Sequence, residues 1–229
     1  MPITTCVFDA YGTLFDVSDA ARRLAAQPGQ DAVAAKWADI AAMWRAKQLE
    51  YSWLRAVAGT YVDFWQVTQD GLDYALEAAK LNDPVLREEL LALYWELGAY
   101  SEVPAMLTAL RDAGYATAIL SNGSPDMLSA AVRSAGFKGM FDAVLSVESV
   151  GVFKPHPSVY DLVGKRFGTT SEQVLFVSSN GWDAAHSAAY GFHTAWVNRA
   201  GLPVDRLPAK PHIIIPDLTT IPTIAKEAP

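Results

Sequence analysis

The sequence of 229 residues contains a single cysteine, Cys6, with no second thiol to form a disulfide or share a metal ion. This excludes a disulfide framework and a zinc–thiolate site, and it is typical of proteins in a reducing compartment. No apolar run approaches the roughly 18 residues that a membrane-spanning helix needs. Asp9 and Asp16 interrupt the N-terminal segment where a signal peptide would be continuously apolar. We therefore expect a cytoplasmic protein without a membrane partner.

Positive charge is also scarce, since 18 Lys and Arg residues stand against 25 Asp and Glu residues and give a net charge of −7. Such a chain lacks the cationic surface that neutralises nucleic-acid phosphates, so no nucleic-acid partner is expected. The sequence has no Gly-rich phosphate loop and no dinucleotide fingerprint, and its four histidines lack metal-ligand spacing. These absences indicate a small-molecule partner, with no metal site and no organic cofactor.

Hydrophobic residues make up 51% of the chain, enough for a large buried core, and their spacing changes along it. Residues 3–8 predict a strand, whereas residues 18–98 have helical periodicity throughout. One buried stripe is predicted from apolar residues at three-, four- and seven-residue steps: Val33, Trp37, Ile40, Trp44, Tyr51 and Leu54. Further helices are predicted at 61–81 and 84–97, the second capped by Asp83 and started by Pro84.

After residue 102, predicted helices and strands alternate. The helices are predicted at 103–113, 126–135, 158–167 and 183–190, and the strands at 115–120, 143–147, 174–177, 194–197 and 213–215. Alternating βαβ units predict an α/β fold with a Rossmann-like, mostly parallel sheet covered by helices on both faces. The earlier helical block then forms a helical-bundle cap inserted after the first strand. We predict a core domain of residues 1–15 and 99–229 and a cap subdomain of residues 16–98.

Polar residues follow the predicted strands, at the edge where open α/β sheets bind ligands. In chain order they are Asp9, Ser121, Asn122, Lys154, Ser178, Ser179, Asn180 and Asp183. Each one alone could be a turn, a helix cap or a solvated loop residue. Together they would bring two carboxylates, a lysine, and hydroxyl and amide groups into one crevice, which favours a functional site.

Four segments carry a recognisable pattern in this order: 8–14 (FDAYGTL), 120–123 (LSNG), 153–155 (FKP) and 178–183 (SSNGWD). They resemble the four motifs of the haloacid dehalogenase superfamily. Two more segments, 44–51 (WRAKQLEY) and 121–125 (SNGSP), closely resemble the type II (S)-2-haloacid dehalogenases. The resemblance implies a homodimer that hydrolyses (S)-2-haloacids to (R)-2-hydroxy acids, without a metal, through an aspartyl ester and with inversion at C2.

The resemblance also implies a role for each catalytic residue. Asp9 is the nucleophile, Thr13 supports it, and Lys154 keeps its carboxylate charged beside an anionic substrate. Ser121 and backbone N–H groups of the turn after Asp9 bind the substrate carboxylate. The residues implied to orient and activate the hydrolytic water, or to bond within that network, are Ser178, Asn180, Asp183 and Tyr160.

A second set is implied to bind the substrate side chain and the halide. The halide cradle consists of Arg45, Asn122 and Trp182, and the apolar wall of Tyr11, Leu49, Phe64 and Trp182. Without the resemblance, we would interpret Arg45 as an ordinary arginine on a helix surface. The large residues of the apolar wall would equally fit packing in the hydrophobic core. Ala46 departs from the glutamine often found at this wall, which leaves the width of the substrate open.

Tyr11 stands two residues after Asp9, where phosphatases and mutases of the superfamily place a second aspartate that protonates an oxygen leaving group. A halide leaves without a proton, so a dehalogenase does not need this second aspartate. A substrate whose reacting centre is an sp³ carbon bearing halogen also has no phosphate charge for magnesium to neutralise. Tyr11 therefore argues against phosphoryl transfer. Two alternatives stay open. One is a magnesium-dependent phosphatase of the same superfamily that acts on a small phosphate ester, and the other is a non-catalytic small-acid binding protein.

Overall fold

A six-stranded sheet forms the centre of the computed structural model, which describes residues 1–228. Its strands are β1 (Thr5–Phe8), β2 (Ala116–Ser121), β3 (Ala143–Ser146), β4 (Val174–Ser178), β5 (His193–Val197) and β6 (Ile213–Ile215). They lie in the order β3-β2-β1-β4-β5-β6, and every neighbouring pair is parallel. The predicted α/β fold with a mostly parallel sheet is confirmed, and each predicted strand appears with its bounds shifted by at most two residues.

Strand β1 lies inside the sheet, with Val7 opposite Ala118 on β2 and Phe176 on β4. All residues of β1 and β4 are buried, so both faces of the sheet centre are covered. Because parallel strands end at the same edge, the segments that follow β1, β2 and β4 come together there. This edge receives the motif that begins at Asp9.

The described residues form ten α-helices. They are α1 (Asp19–Ala25), α2 (Asp31–Ala34), α3 (Trp37–Ala58), α4 (Phe64–Ala79), α5 (Pro84–Tyr94), α6 (Val103–Asp112), α7 (Pro125–Ser134), α8 (Pro157–Phe167), α9 (Gly181–Tyr190) and α10 (Ile221–Glu227). Asp83 caps α5 by accepting the N–H of Val85, and Pro84 is in its first turn, as predicted. The short helix α10 was not predicted. None of the helices in residues 1–228 combines the length and apolar character that crossing a bilayer requires.

Helicity is not continuous from residue 18 to residue 98, because left-handed residues end two of the helices. Gly59 ends α3 with a φ of 65°, and Lys80 ends α4 with a φ of 57°. Glycine adopts this conformation without steric cost, whereas a lysine there is uncommon. The stop at Gly59 lets the chain turn so that α3 and α4 pack against each other, and the stop at Lys80 ends α4 before the chain turns to α5.

The predicted buried stripe of α3 is wrong at Leu54, which is 58% exposed. The buried positions follow a four-residue step through Ile40, Trp44, Gln48 and Ser52. Leu54 lies two residues beyond Ser52, about 200° around the helix, and therefore faces solvent. The stripe was predicted from apolar residues alone, whereas the buried face continues through two polar residues.

Candidate active site

A small cavity of about 250 Å³ of empty space lies between α3 and the carboxyl edge of the sheet. It is lined by Asp9, Tyr11, Arg45, Leu49, Phe64, Ser121, Asn122, Lys154, Asn180 and Trp182. The remaining predicted site residues lie directly behind this lining. Thr13, Ser178 and Asp183 are hydrogen-bonded to lining residues, and Tyr160 is hydrogen-bonded to Asp183. The structure thus brings every site residue predicted from the sequence into one cluster.

Asp9 is buried at the end of β1, and its two carboxylate oxygens have different partners. Oδ2 accepts hydrogen bonds from Thr13 Oγ1 at 3.1 Å and Asn180 Nδ2 at 2.9 Å. Oδ1 accepts one from Lys154 Nζ at 3.2 Å. The carboxylate is therefore fixed in orientation, with Oδ1 the less engaged oxygen.

Lys154 is 1% exposed and lies between two carboxylates. Its Nζ is 3.2 Å from Asp9 Oδ1 and 2.8 Å from Asp183 Oδ2. Burial alone would lower the pKa of Lys154, but the charges of Asp183 and Asp9 outweigh it and raise that pKa above its ordinary value of 10.5. The ammonium stays protonated at neutral pH and offsets the negative charge of the pocket.

Asp183 is fully buried in the first turn of α9, where the helix dipole favours negative charge. Tyr160 donates from its hydroxyl to Asp183 Oδ1 at 2.8 Å, while Lys154 donates to Oδ2. Burial raises the pKa of Asp183 above its ordinary 3.8, although Lys154 opposes the rise. Burial and Asp183 also keep the pKa of Tyr160 well above 10.0, so Tyr160 remains a neutral donor.

Arg45 extends from α3 to the loop after β1. Its Nη2 donates to the backbone oxygen of Tyr11 and to Asn180 Oδ1, both at 3.3 Å. Among residues 1–228, no carboxylate lies within 4.0 Å of its guanidinium. The cavity therefore contains a positive charge that no side-chain anion neutralises, which suits an anionic ligand.

The loops after β1 and β2 approach each other closely at Gly123. A Cβ atom at position 123 would lie 2.8 Å from Cε2 of Tyr11, closer than a carbon contact allows. The N–H of Gly123 donates to Ser121 Oγ at 3.1 Å, which leaves the hydroxyl hydrogen of Ser121 free for a ligand. The missing side chain at position 123 thus makes room for the aromatic wall of the cavity.

Sequence reasoning placed Ser179 at this edge of the sheet, between two predicted site residues, but assigned it no role. Its backbone N–H donates to Thr13 Oγ1 at 2.8 Å, which orients the Thr13 hydroxyl toward Asp9. Ser179 thus acts through Thr13. Its position directly after β4 was the only signal in the sequence.

Sequence reasoning missed a buried polar network behind Tyr11. The Tyr94 ring stacks on the Tyr11 ring with centroids 5.7 Å apart. Gln48 Nε2 donates to the Tyr94 hydroxyl at 3.1 Å and to Thr68 Oγ1 at 3.0 Å. Gln48 is 1% exposed, one residue before Leu49 of the cavity wall. The sequence signal for this network is that Gln48 follows Trp44 by four residues and so shares its buried helix face, where a polar side chain needs a hydrogen-bond partner.

Comparison with known proteins decides the family. The model of the haloacid dehalogenase-like hydrolases matches residues 3–191. The chain belongs to this family. Among curated relatives of this haloacid dehalogenase-like hydrolase, (S)-2-haloacid dehalogenase 1 of Pseudomonas sp. (strain CBS-3) is 43% identical over 203 residues, 88% of this chain and 87% of the relative. The (S)-2-haloacid dehalogenase of Xanthobacter autotrophicus is 47% identical over 201 residues, 86% of this chain and 76% of the relative.

The fold of this haloacid dehalogenase-like hydrolase also agrees with solved structures. The L-2-haloacid dehalogenase from Xanthobacter autotrophicus, solved with chloropropionic acid covalently bound, superimposes with a TM-score of 0.86. The two chains are 38% identical, and the match covers 99% of this chain and 100% of the other. The family resemblance predicted from the sequence is confirmed.

Proposed function

We propose that this protein is an (S)-2-haloacid dehalogenase, a hydrolase that converts (S)-2-haloacids to (R)-2-hydroxy acids through an ester on Asp9. One observation carries the proposal. A buried carboxylate paired with Lys154 shares a small cavity with Arg45, a cation that no carboxylate in residues 1–228 neutralises. A nucleophile and a separate site for a leaving anion are what displacement of halide requires.

In the first step, Asp9 attacks C2 of the substrate, and the carbon–halogen bond breaks with its electron pair going to the halide. Lys154 reduces the repulsion between the carboxylate of Asp9 and that of the substrate. Ser121 and the N–H groups of the turn after Asp9 hold the substrate carboxylate, and Arg45 with Asn122 and Trp182 receives the halide. Backside attack inverts C2.

In the second step, water attacks the carbonyl carbon of the Asp9 ester and releases the hydroxy acid. The bond between C2 and the former Asp9 oxygen is kept, so the inversion is preserved in the product. Asp183 accepts the proton of the water, because burial makes it a stronger base than an ordinary aspartate. Asn180 and Ser178 position the water, with the hydroxyl of Ser178 accepting the N–H of Asn180 at 3.1 Å.

Phosphatase activity is disfavoured by the residue two positions after Asp9. Tyr11 lines the cavity where a second acid would be needed to protonate an oxygen leaving group. Burial and Tyr94 hold the pKa of Tyr11 well above 10.0, so it is a poor general acid.

A halide-release assay tests the proposal. The wild-type protein is expected to release chloride from (S)-2-chloropropionate in excess chelator, and Asp9→Asn is expected to release none. Phosphate-ester hydrolysis that requires magnesium would instead support the phosphatase. Binding of the acid without turnover in both proteins would support the small-acid binding protein.

We also propose the two-part organisation of the chain, with residues 16–98 as the cap and residues 1–15 and 99–229 as the core; residue 229 lies outside the described residues. The cavity supports it, since α3 supplies Arg45 and Leu49 from one side and the sheet edge supplies Asp9 from the other. Cutting out residues 16–98 is expected to leave the nucleophile without its halide site, which halide release measures.

A cytoplasmic homodimer completes the proposal. Two exposed apolar side chains on α3 and α4, Leu54 at 58% and Tyr74 at 42%, provide apolar surface for a second copy. The single cysteine, buried and free, is compatible with a reducing compartment. Leu54→Asp is expected to shift the mass in analytical ultracentrifugation from dimer to monomer.

A further inference from the structure

An apolar groove lies directly beside the catalytic cavity and has about 1010 Å³ of empty space, against about 250 Å³ in the cavity itself. One wall is the end of α3, with Trp53, Ala56 and Val57. Phe153 and Trp182 belong to the opposite wall. Polar side chains contribute little to this lining, and the two that do are His156 and His186. No step of the dehalogenation described above uses this groove.

Trp182 separates the groove from the cavity, because its side chain lines both. The neighbouring segment 153–154 also borders both spaces, since Phe153 lines the groove and Lys154 lines the cavity. The catalytic centre and the groove are therefore one side chain apart. A substrate group that passes Trp182 leaves a polar pocket and enters an apolar one.

The indole of Trp182 is held by packing alone. Its Nε1 is buried and has no hydrogen-bond partner in residues 1–228, and its ring meets Trp53 edge-on with centroids 5.3 Å apart. By contrast, Trp44 Nε1 donates to Thr68 O and Trp196 Nε1 donates to Ser179 O. Displacing the Trp182 indole from this position breaks no hydrogen bond within the protein. Of these three indoles, the one between the groove and the cavity is therefore the most easily moved.

We propose that this groove binds the alkyl chain of 2-haloalkanoic acids longer than 2-halopropionate, with Trp182 moving aside to let the chain pass and Arg45 and Asn122 then holding the halide without it. The inference rests on the proposed function and names its substrate class. The carboxylate and the halogen stay in the polar cavity, while the tail of the acid lies between Trp53, Val57 and Phe153. Each methylene buried there is worth about fourfold in kcat/KM.

A series of racemic 2-bromo acids from propionate through butanoate and hexanoate to octanoate tests the proposal in the wild-type protein. We expect kcat/KM to rise with chain length until the groove is filled. A steep fall with chain length, while 2-bromopropionate is still turned over, would overturn the groove proposal and leave the dehalogenase intact. No bromide release from any acid would defeat the proposed function itself.

Two variants locate the tail. Ala56→Phe fills the groove and is expected to lower kcat/KM for 2-bromooctanoate by about tenfold or more, with 2-bromopropionate within about twofold of wild type. Val57→Asp places a charge in the groove at a position that is 89% exposed and tolerates it, and the same selective loss is expected. Ala42→Phe, at an exposed position of the same helix outside the groove, is the matched control and should change neither substrate.

Each remaining outcome has a definite meaning. An equal loss for short and long acids in Ala56→Phe would overturn the proposal, because the groove would then affect the chemistry and not the tail. A change in sedimentation mass in Ala56→Phe or Val57→Asp would also overturn it, because a second copy of the chain would then occupy the groove.

Discussion

Lys154 lies nearer to Asp183 than to Asp9, with its Nζ 2.8 Å from Asp183 Oδ2 and 3.2 Å from Asp9 Oδ1. Both partners of the closer pair are at most 1% exposed. In the proposed mechanism, one ammonium thus serves both the carboxylate that attacks the substrate and the carboxylate that activates water. We therefore expect its removal to affect both proposed steps of the reaction and the stability of the fold.

Lys154→Met leaves two buried carboxylates without a cation, so we expect a loss of about 3–5 kcal/mol in the free energy of unfolding and no halide release. Urea denaturation measures the first and a halide assay the second. The double variant Lys154→Met/Asp183→Asn removes one of the unpaired charges and should recover about 1–3 kcal/mol without recovering activity. Equal stability of the single and double variants would show that the pair is not coupled.

Asp183→Asn removes the proposed base of the second step and leaves the proposed nucleophile, Asp9, in place. We therefore expect Asp9 to accumulate as an ester after substrate is added, visible by mass spectrometry as an adduct that Asp9→Asn lacks. The amount of halide released should equal one turnover per site. Continued turnover with an unmodified protein mass would show that another group activates the water.

The raised pKa of Asp183 predicts an acid limit to activity. Because burial lifts this pKa above 3.8, the base becomes protonated at a higher pH than an ordinary aspartate. Hydrolysis of the ester should slow as the pH falls through the raised pKa, whereas formation of the ester need not follow the same profile. Single-turnover kinetics across pH separates the two steps, and an acid limit confined to ester formation would contradict the role of Asp183.

Arg45→Ala removes the cation that we place at the leaving halide. We expect the single-turnover rate of ester formation to fall by about 10²–10³-fold, as for loss of a donor to a developing anion. The free energy of unfolding should change by less than about 1 kcal/mol, because this half-buried arginine makes only two long hydrogen bonds. Arg55→Ala on the same helix, which breaks the ion pair with Asp70, is the matched control and should leave the rate unchanged.

Gln48→Met removes the amide that ties Tyr94 to Thr68 behind the cavity wall. Two buried hydroxyl groups lose a partner, so we expect a cost of about 1–3 kcal/mol in the free energy of unfolding. We also expect kcat to fall by about tenfold, because Tyr94 no longer holds Tyr11 in place. Leu86→Ala, a buried change on α5 away from the cavity, should lower stability and keep kcat; an equal loss of kcat in that variant would reduce Gln48 to a general stabilising role.

The sheet and most of the cavity were predictable because both follow from chain order. Parallel strands end at one edge, so polar residues after the strands had to meet there, and Asp9, Ser121 and Asp183 do. The helix that starts at Pro84 was predictable for a local reason, the cap at Asp83.

What the sequence did not predict depends on contacts between distant segments. Gln48 and Tyr94 are far apart along the chain, and their hydrogen bond exists only because α3 and α5 pack together. The exposure of Leu54 depends on which face of α3 meets α4. Because that face includes the polar residue Gln48, a pattern of apolar residues does not identify it. Likewise, the position of Trp182 between two pockets follows from its packing on Trp53, which periodicity does not reveal.

Because Tyr11 and Gly123 approach each other closely, the substitutions that evolution can accept at one position depend on the residue at the other. The tyrosine ring fills the space that a side chain at residue 123 would need, so a larger residue there is acceptable only after residue 11 has lost its ring. Adaptation of the cavity to a bulkier substrate therefore has a required order, with position 11 changing before position 123, and the reverse order passes through a protein in which the two side chains overlap.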